Sequence, residues 1–483
     1  MSVRRRDFLT LLASTAAWPT AGRSATMPEL GAADLRSDLA LLQRVVSLLH
    51  PGLHRYASAA ESEARFAALA QRWREPRALA AAYLELSVLL SSIRCGHTYA
   101  NFYNQRGPIR QALFDGRDKL PFHFEWLGGR MVVTGGELAR GTEVVAIDGL
   151  AAAQLLARIE PAVRADGHVA AMKRALLSVT GGDDIETFDV FFPLVAGARE
   201  RFVLDLRAPD GSSRRTELAA IDLAQRRAAM PRRAPPSDET PPWPLVVGAD
   251  GTAVLTMPGW ALYNTRWDWR GYLGRVFAQL VEQRAPALIV DLRGNEGGLD
   301  CGDAIVAHLI DRPIEVRLTE RRVRYRKVPS DLNPVLDTWD DGFRDWGDAA
   351  TPAGDGFYRL ADGPAQRIEP KGPRYRGKVA VLVDGSNHSA TFRFAQIVHR
   401  ERLGQLVGPG TGGNLRGSNG GAFFFVRLPA TGLEVDLPLI GAYAPGDPPD
   451  AALPADVVVM PTVEDLAAGR DVVLTRAREI VGT

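Results

Sequence analysis

The sequence predicts an α/β protein with a helical N-terminal region, a β-rich middle module and a C-terminal domain built on a largely parallel sheet. Three observations predict this. Apolar residues recur at helical spacing between positions 30 and 95. Short strands with Gly-Gly and Asp-Gly turns follow from about Leu120. Beyond a Pro-rich stretch at 230–243, apolar strands and amphipathic helices take turns.

In the first region, Leu35, Leu39, Leu42, Val46 and Leu49 mark one helix face, and Ala-rich helical segments run from Phe66 to Leu90. In the second, Met131–Thr134 reads as a strand turned by Gly135-Gly136. Gly141-Thr-Glu-Val-Val-Ala-Ile-Asp-Gly149 reads as a strand closed by an Asp-Gly turn, and a helix from Ala151 to Ile159 follows. That strand-turn resembles those of PDZ-like modules, which bind extended peptides at an open sheet edge. In the third, strands are expected at Ala253–Met257, Ala287–Asp291, Val379–Val383 and near Gln405. Helices are expected at about Trp269–Gln283, Cys301–Leu309 and Asp471–Ile480. With 483 residues the chain exceeds one ordinary core. The expected division is a helical region at 26–117, a PDZ-like module at 118–229, a linker at 230–243 and a catalytic domain at 244–483.

Residues 1–25 read as a secretory signal, with a basic start, a short apolar run and small residues up to Ala25. Arg5-Arg6-Asp7-Phe8-Leu9 resembles a twin-arginine export signal, with an ordinary basic n-region as the alternative. Either reading implies a periplasmic or extracellular protein without a stable membrane anchor. The 58 Lys and Arg against 57 Asp and Glu leave a net charge of +1, which argues against a nucleic-acid surface. Two cysteines, Cys95 and Cys301, exclude a disulfide scaffold but permit one bridge.

Chemistry concentrates in three places. The run Val379–Val383 reads as a buried strand, Asp384 to Asn387 as a turn, and Ser389 stands where a helix begins. A serine there either caps the helix or presents its hydroxyl among free backbone N–H groups, as a nucleophile requires. Asp291-Leu-Arg-Gly-Asn-Glu-Gly-Gly298 ends a second strand in a glycine loop. It lacks the Lys-Ser/Thr of a phosphate loop, which leaves an oxyanion hole or a plain turn. His97, in Gly96-His97-Thr98, follows a glycine at the end of the helical region.

Together with Val407-Gly-Pro-Gly-Thr-Gly-Gly-Asn414 and the Pro454-Ala-Asp456 tail, these blocks resemble the C-terminal processing (tail-specific) serine peptidase family, on its tricorn-core-like branch. The resemblance implies a Clp-protease/crotonase-like catalytic fold, a polypeptide substrate and no cofactor or metal. It also implies that Ser389 is the nucleophile. Many members pair the serine with a lysine about two dozen residues later, but this chain has Asn414 there, and an amide cannot accept a proton near neutral pH. Arg416 is always charged. The related branch draws a histidine from the N-terminal part, which points to His97 as general base, with His388 as the competing candidate. The acid that would orient His97 is expected at Asp450, with Asp447 and Glu434 as alternatives. Oxyanion donors are expected at the backbone of Ala390 and of Gly297 or Gly298. Rival readings are a zinc site at Cys95, His97 and Cys301, a non-catalytic peptide or ligand binder, and an esterase using the same residues.

Overall fold

A computed structural model describes residues 28–229, 237, 239–361 and 367–482. The expected export signal and residues 230–236 and 238 of the Pro-rich stretch lie outside the described residues.

The N-terminal region folds as helices Ala32–Leu49, Ala59–Arg72 and Leu79–Ser91. The first buries Leu35, Leu39, Leu42, Val46 and Leu49, the face that the sequence spacing marks. Ser58 and Glu61 form a capping box that starts the second. The third ends at Ser91, and the turn after it delivers His97.

The middle module is a sheet ordered Phe122–Leu127, Arg130–Gly136, Glu143–Ile147, Arg201–Arg207 and Ser213–Ala219, every neighbour antiparallel. Gly135 and Gly136 do not turn the chain as expected. A bulge at His123/Phe124 lets pairing continue to Gly136, and the turn comes later. The Asp148-Gly149 turn does form, and the Asp148 carboxylate accepts from the Val203 N–H at 2.9 Å. Helices Ala152–Ile159, Ala170–Leu176, Thr187–Ala196 and Leu223–Ala228 complete the module.

In the C-terminal part, six strands are ordered Val457–Val458, Gln405–Gly408, Lys378–Leu382, Ala287–Asp291, Thr252–Thr256 and Leu245–Val247 among the described residues. All pairings are parallel except the last. Val379, Val381 and Val383 face helices Trp269–Glu282, Cys301–Leu309 and Ser389–Glu401. Ala380 and Leu382 face helix Val472–Gly482. Cover on both faces explains why the strand is apolar at every position.

The sequence pattern did not disclose a second, antiparallel sheet. It is ordered Leu336–Asp337, Asn419–Arg427, Glu434–Tyr443, Glu320–Val323, Phe357–Leu360 and Ala350–Gly354. Its inner residues, among them Phe424, Val435 and Leu437, share one core with the N-terminal helices and the middle module. Part of the 244–483 stretch thus packs away from the parallel sheet. Cys95 and Cys301 are both free, and they lie in different cores. Neither the bridge nor the zinc set suggested by their side chains is therefore assembled.

A buried ion pair joins the module's later helices. Arg226 donates to Asp189 at 2.8 and 3.0 Å and to the Leu120 carbonyl at 2.7 Å. Removing one partner leaves an uncompensated buried charge. Arg226→Ala is expected to cost about 3–5 kcal/mol, read as a lower urea midpoint.

Candidate active site

The turn carrying Ser389 is laced to the neighbouring glycine loop. The Asn387 amide donates to the carbonyls of Leu292 (2.6 Å) and Asn295 (3.1 Å). The Thr391 hydroxyl shares its one proton between the Asn295 and His388 carbonyls (3.0 and 2.8 Å), and the Asp384 carboxylate accepts from the Gly294 N–H at 2.9 Å. Parallel pairing of Ala287–Asp291 with Lys378–Leu382 brings the two loops out at one sheet end, where open α/β sheets bind ligands.

Ser389 begins the helix Ser389–Glu401 with φ 54°, a left-handed conformation that costs a non-glycine residue about 1–2 kcal/mol. It is part-exposed. His388 precedes it in extended conformation, and no side chain caps the helix. The first-turn N–H groups therefore lie open beside the hydroxyl.

Of the glycine-loop donors, Gly297 is already engaged, because its N–H donates to Asn295 Oδ1 at 2.9 Å. Of the amides expected to hold an oxyanion, Gly297 is thus occupied by a partner within its own loop. Gly297 has a different part in the site. A Cβ there would come within 2.9 Å of the Ala390 nitrogen and 3.0 Å of the Ser389 Cβ, so only glycine allows the two loops to touch.

Folding brings His97 to the same place. Its ring stacks on that of His388 with centroids 5.4 Å apart and planes within 10°. Phe423 lies 6.0 Å away on another side. The loop behind His97 is fixed by His50. The Gly52 N–H donates to His50 Nδ1 (3.0 Å), so His50 Nε2 carries the proton and donates to the Thr98 hydroxyl (2.8 Å). Burial first, and then the Arg164 charge, lower the His97 pKa to about 4 against the pull of Glu296.

Sequence reasoning missed Arg164. From the middle module it donates to the Gly96 carbonyl (3.0 Å), to His388 Nε2 (3.3 Å) and to Glu296 (2.9 Å). Its guanidinium also lies 4.6 Å from the Tyr99 ring centre. A guanidinium only donates, so His388 Nε2 accepts and its proton sits on Nδ1. Burial, His97 and Arg164 together hold His388 neutral. No local motif surrounds Arg164, and only its folded position identifies it. Asp166, two residues on, accepts from the Gly96 N–H at 2.8 Å.

Asp450, expected beside His97, has other partners. Its carboxylate meets His168 Nδ1, the His168 N–H (3.1 Å) and the Asn414 amide (2.7 Å). Gly167, at φ +60°, makes this possible, since a Cβ there would fall 2.2 Å from both Asn414 Nδ2 and Asp450 Oδ1. Asp447 is nearest Arg416, and Glu434 is buried between Arg106 and Arg427. Among the described residues His97 Nδ1 is buried without a hydrogen-bond partner, so none of the three carboxylates orients it. Asn414, at the position of the missing lysine, pins Asp450 and the Asp166 carbonyl. Among the described residues, no three His, Cys, Asp or Glu side chains converge in a way that could hold a metal ion.

An accessible hydroxyl among open amides, with a neutral imidazole at hand, can attack an acyl carbon and stabilise the resulting oxyanion. Such a constellation is of the kind that serine hydrolases use. Residues 251–423 match the family model for Peptidase family S41. S41 peptidases are serine hydrolases. Among solved structures, the chain is similar to mature CPAF complexed with lactacystin, at 15% identity and TM-score 0.62, over 93% of this chain and 97% of that one. It is also similar to mature CPAF, at 16% identity and TM-score 0.59, over 90% and 94%. At these identities the likeness is one of fold. No curated protein matches the sequence. No helix among the described residues is long and apolar enough to cross a membrane.

The Gly297 contact is directly testable. Gly297→Ala is expected to displace the Ser389 turn and slow fluorophosphonate labelling of Ser389 on the order of a hundredfold, with the far-ultraviolet circular dichroism unchanged.

Proposed function

We propose that this protein is an exported serine peptidase that cleaves polypeptides, with Ser389 as nucleophile and His97 as general base. The observation that carries the reading is the near-parallel stack of His97 on His388, the residue just before a strained Ser389. In the proposed reaction the Ser389 hydroxyl gives its proton to His97 and attacks the peptide carbonyl. The Gly298 and Ala390 N–H groups receive the oxyanion. Protonated His97 then gives the proton to the leaving amine, and water, activated by the same ring, releases the acyl group. His388 is the poorer base because Arg164 occupies its Nε2 lone pair. Endopeptidase or C-terminal processing activity is the expected form, and a non-catalytic binder and an esterase remain the alternatives to test against.

Ser389→Ala and His97→Ala should each remove nearly all peptide turnover in a folded protein, and a fluorophosphonate probe should label Ser389 alone. Full activity in His97→Ala would sink the base assignment, an unlabelled but folded wild type would favour the binder, and ester turnover without peptide turnover would favour the esterase. Ser389→Gly should also be inactive yet more stable by about 1 kcal/mol, because glycine accepts the left-handed conformation without strain. A histidine must be neutral to take a proton, and its lowered pKa keeps His97 neutral down to about pH 4. The acid limb of kcat/KM should therefore fall near pH 4 rather than at the ordinary histidine value of about 6.5. Replacing Arg5 and Arg6 by lysine should leave the precursor in the cytoplasm, as cell fractionation would show.

A further inference from the structure

The outward face of strand Asn419–Arg427 departs from the pattern of a half-covered strand. Ala422, Phe424 and Val426 point into the core. The alternate positions, which usually hold polar residues, are Phe423 and Phe425. Trp339 is 60% exposed and lies 5.9 Å from each of these rings. Phe343 supports it from the side at 5.4 Å. Since Phe423 also neighbours His97, the rings form an unbroken shelf from the candidate base to the solvent.

The backbone beside the shelf is also open. Strand Leu336–Asp337 pairs only with Val426 and Phe425, and no other described strand takes the 420–424 stretch on that edge. An extended peptide can pair with such an edge while its side chains lie on the shelf. Exposed aromatic surface continuous with a reactive site marks recognition rather than packing.

We propose that Trp339, Phe423 and Phe425 form a subsite for a large aromatic or branched aliphatic side chain of an extended polypeptide, close to the bond that is cut. The identity of the occupant rests on the peptidase reading. The subsite itself rests on the ring geometry.

The test separates the two. Ser389→Ala protein is titrated with fluorescein-labelled peptides that carry Phe or Ala at each position in turn, and binding is read by anisotropy. At one position, Phe should bind on the order of tenfold more tightly than Ala. That preference should vanish in Ser389→Ala/Trp339→Ala and in Ser389→Ala/Phe423→Thr, where a polar residue suits the outward strand position. Equal affinity for every peptide pair, or a preference that survives both changes, overturns the subsite. With the wild type, mass spectrometry of a digested unfolded protein should place Phe, Tyr or Leu at one fixed distance from the cuts, and Trp339→Ala should weaken that bias. An absence of cuts counts against the peptidase reading, while the binding measurement still decides the subsite.

Discussion

Arg164 holds the site together. One guanidinium spans the Gly96 carbonyl behind the candidate base, the ring before the candidate nucleophile and the carboxylate of the glycine loop. These groups come from the helical region and from two loops of the parallel sheet, and Arg164 itself belongs to the middle module. A charge-assisted contact of this kind contributes more than a neutral hydrogen bond. It also sets the tautomer, because a donor on His388 Nε2 leaves the ring proton on Nδ1. The distinction between two adjacent histidines is thus made by a residue from a third part of the chain.

The Ser389 turn shows how the fold sustains strain. Ser389 stays left-handed because Asn387, Thr391 and Asp384 bond the turn to its neighbour, and because Gly297 leaves room for that neighbour to close in. The strand beneath is apolar on both faces and packed on both faces, so the platform does not shift to relieve the local cost. Asn414 fits the same logic. In place of a base, it fixes the Asp450 loop against Gly167 and the Asp166 carbonyl.

Much of this was legible in the chain. Helical spacing located Ala32–Leu49, and alternation of strand and helix located Ala287–Asp291 and Cys301–Leu309, because local periodicity reports which face is buried. The antiparallel sheet was not legible. Its strands lie far apart in sequence, from Glu320 to Tyr443, and their partners are chosen by tertiary packing against the N-terminal helices. In the site, the positions of Ser389, Gly298 and His97 carried local signals, namely a strand end, a glycine pair and a Gly-His step. Arg164, the Gly297–Asn295 bond and the His168 partner of Asp450 carried none.

The sequence by itself determined the strand–helix alternation of the parallel sheet, the local signals at Ser389, Gly298 and His97 and the exclusion of Asn414 as a base, since these depend on side-chain chemistry and local periodicity. Only the tertiary structure decided that Arg164 meets His388 Nε2, that the Gly297 N–H is engaged and what Asp450 touches. Those properties depend on contacts between residues as far apart as Arg164 and His388, and contacts across such separations leave no trace in local pattern.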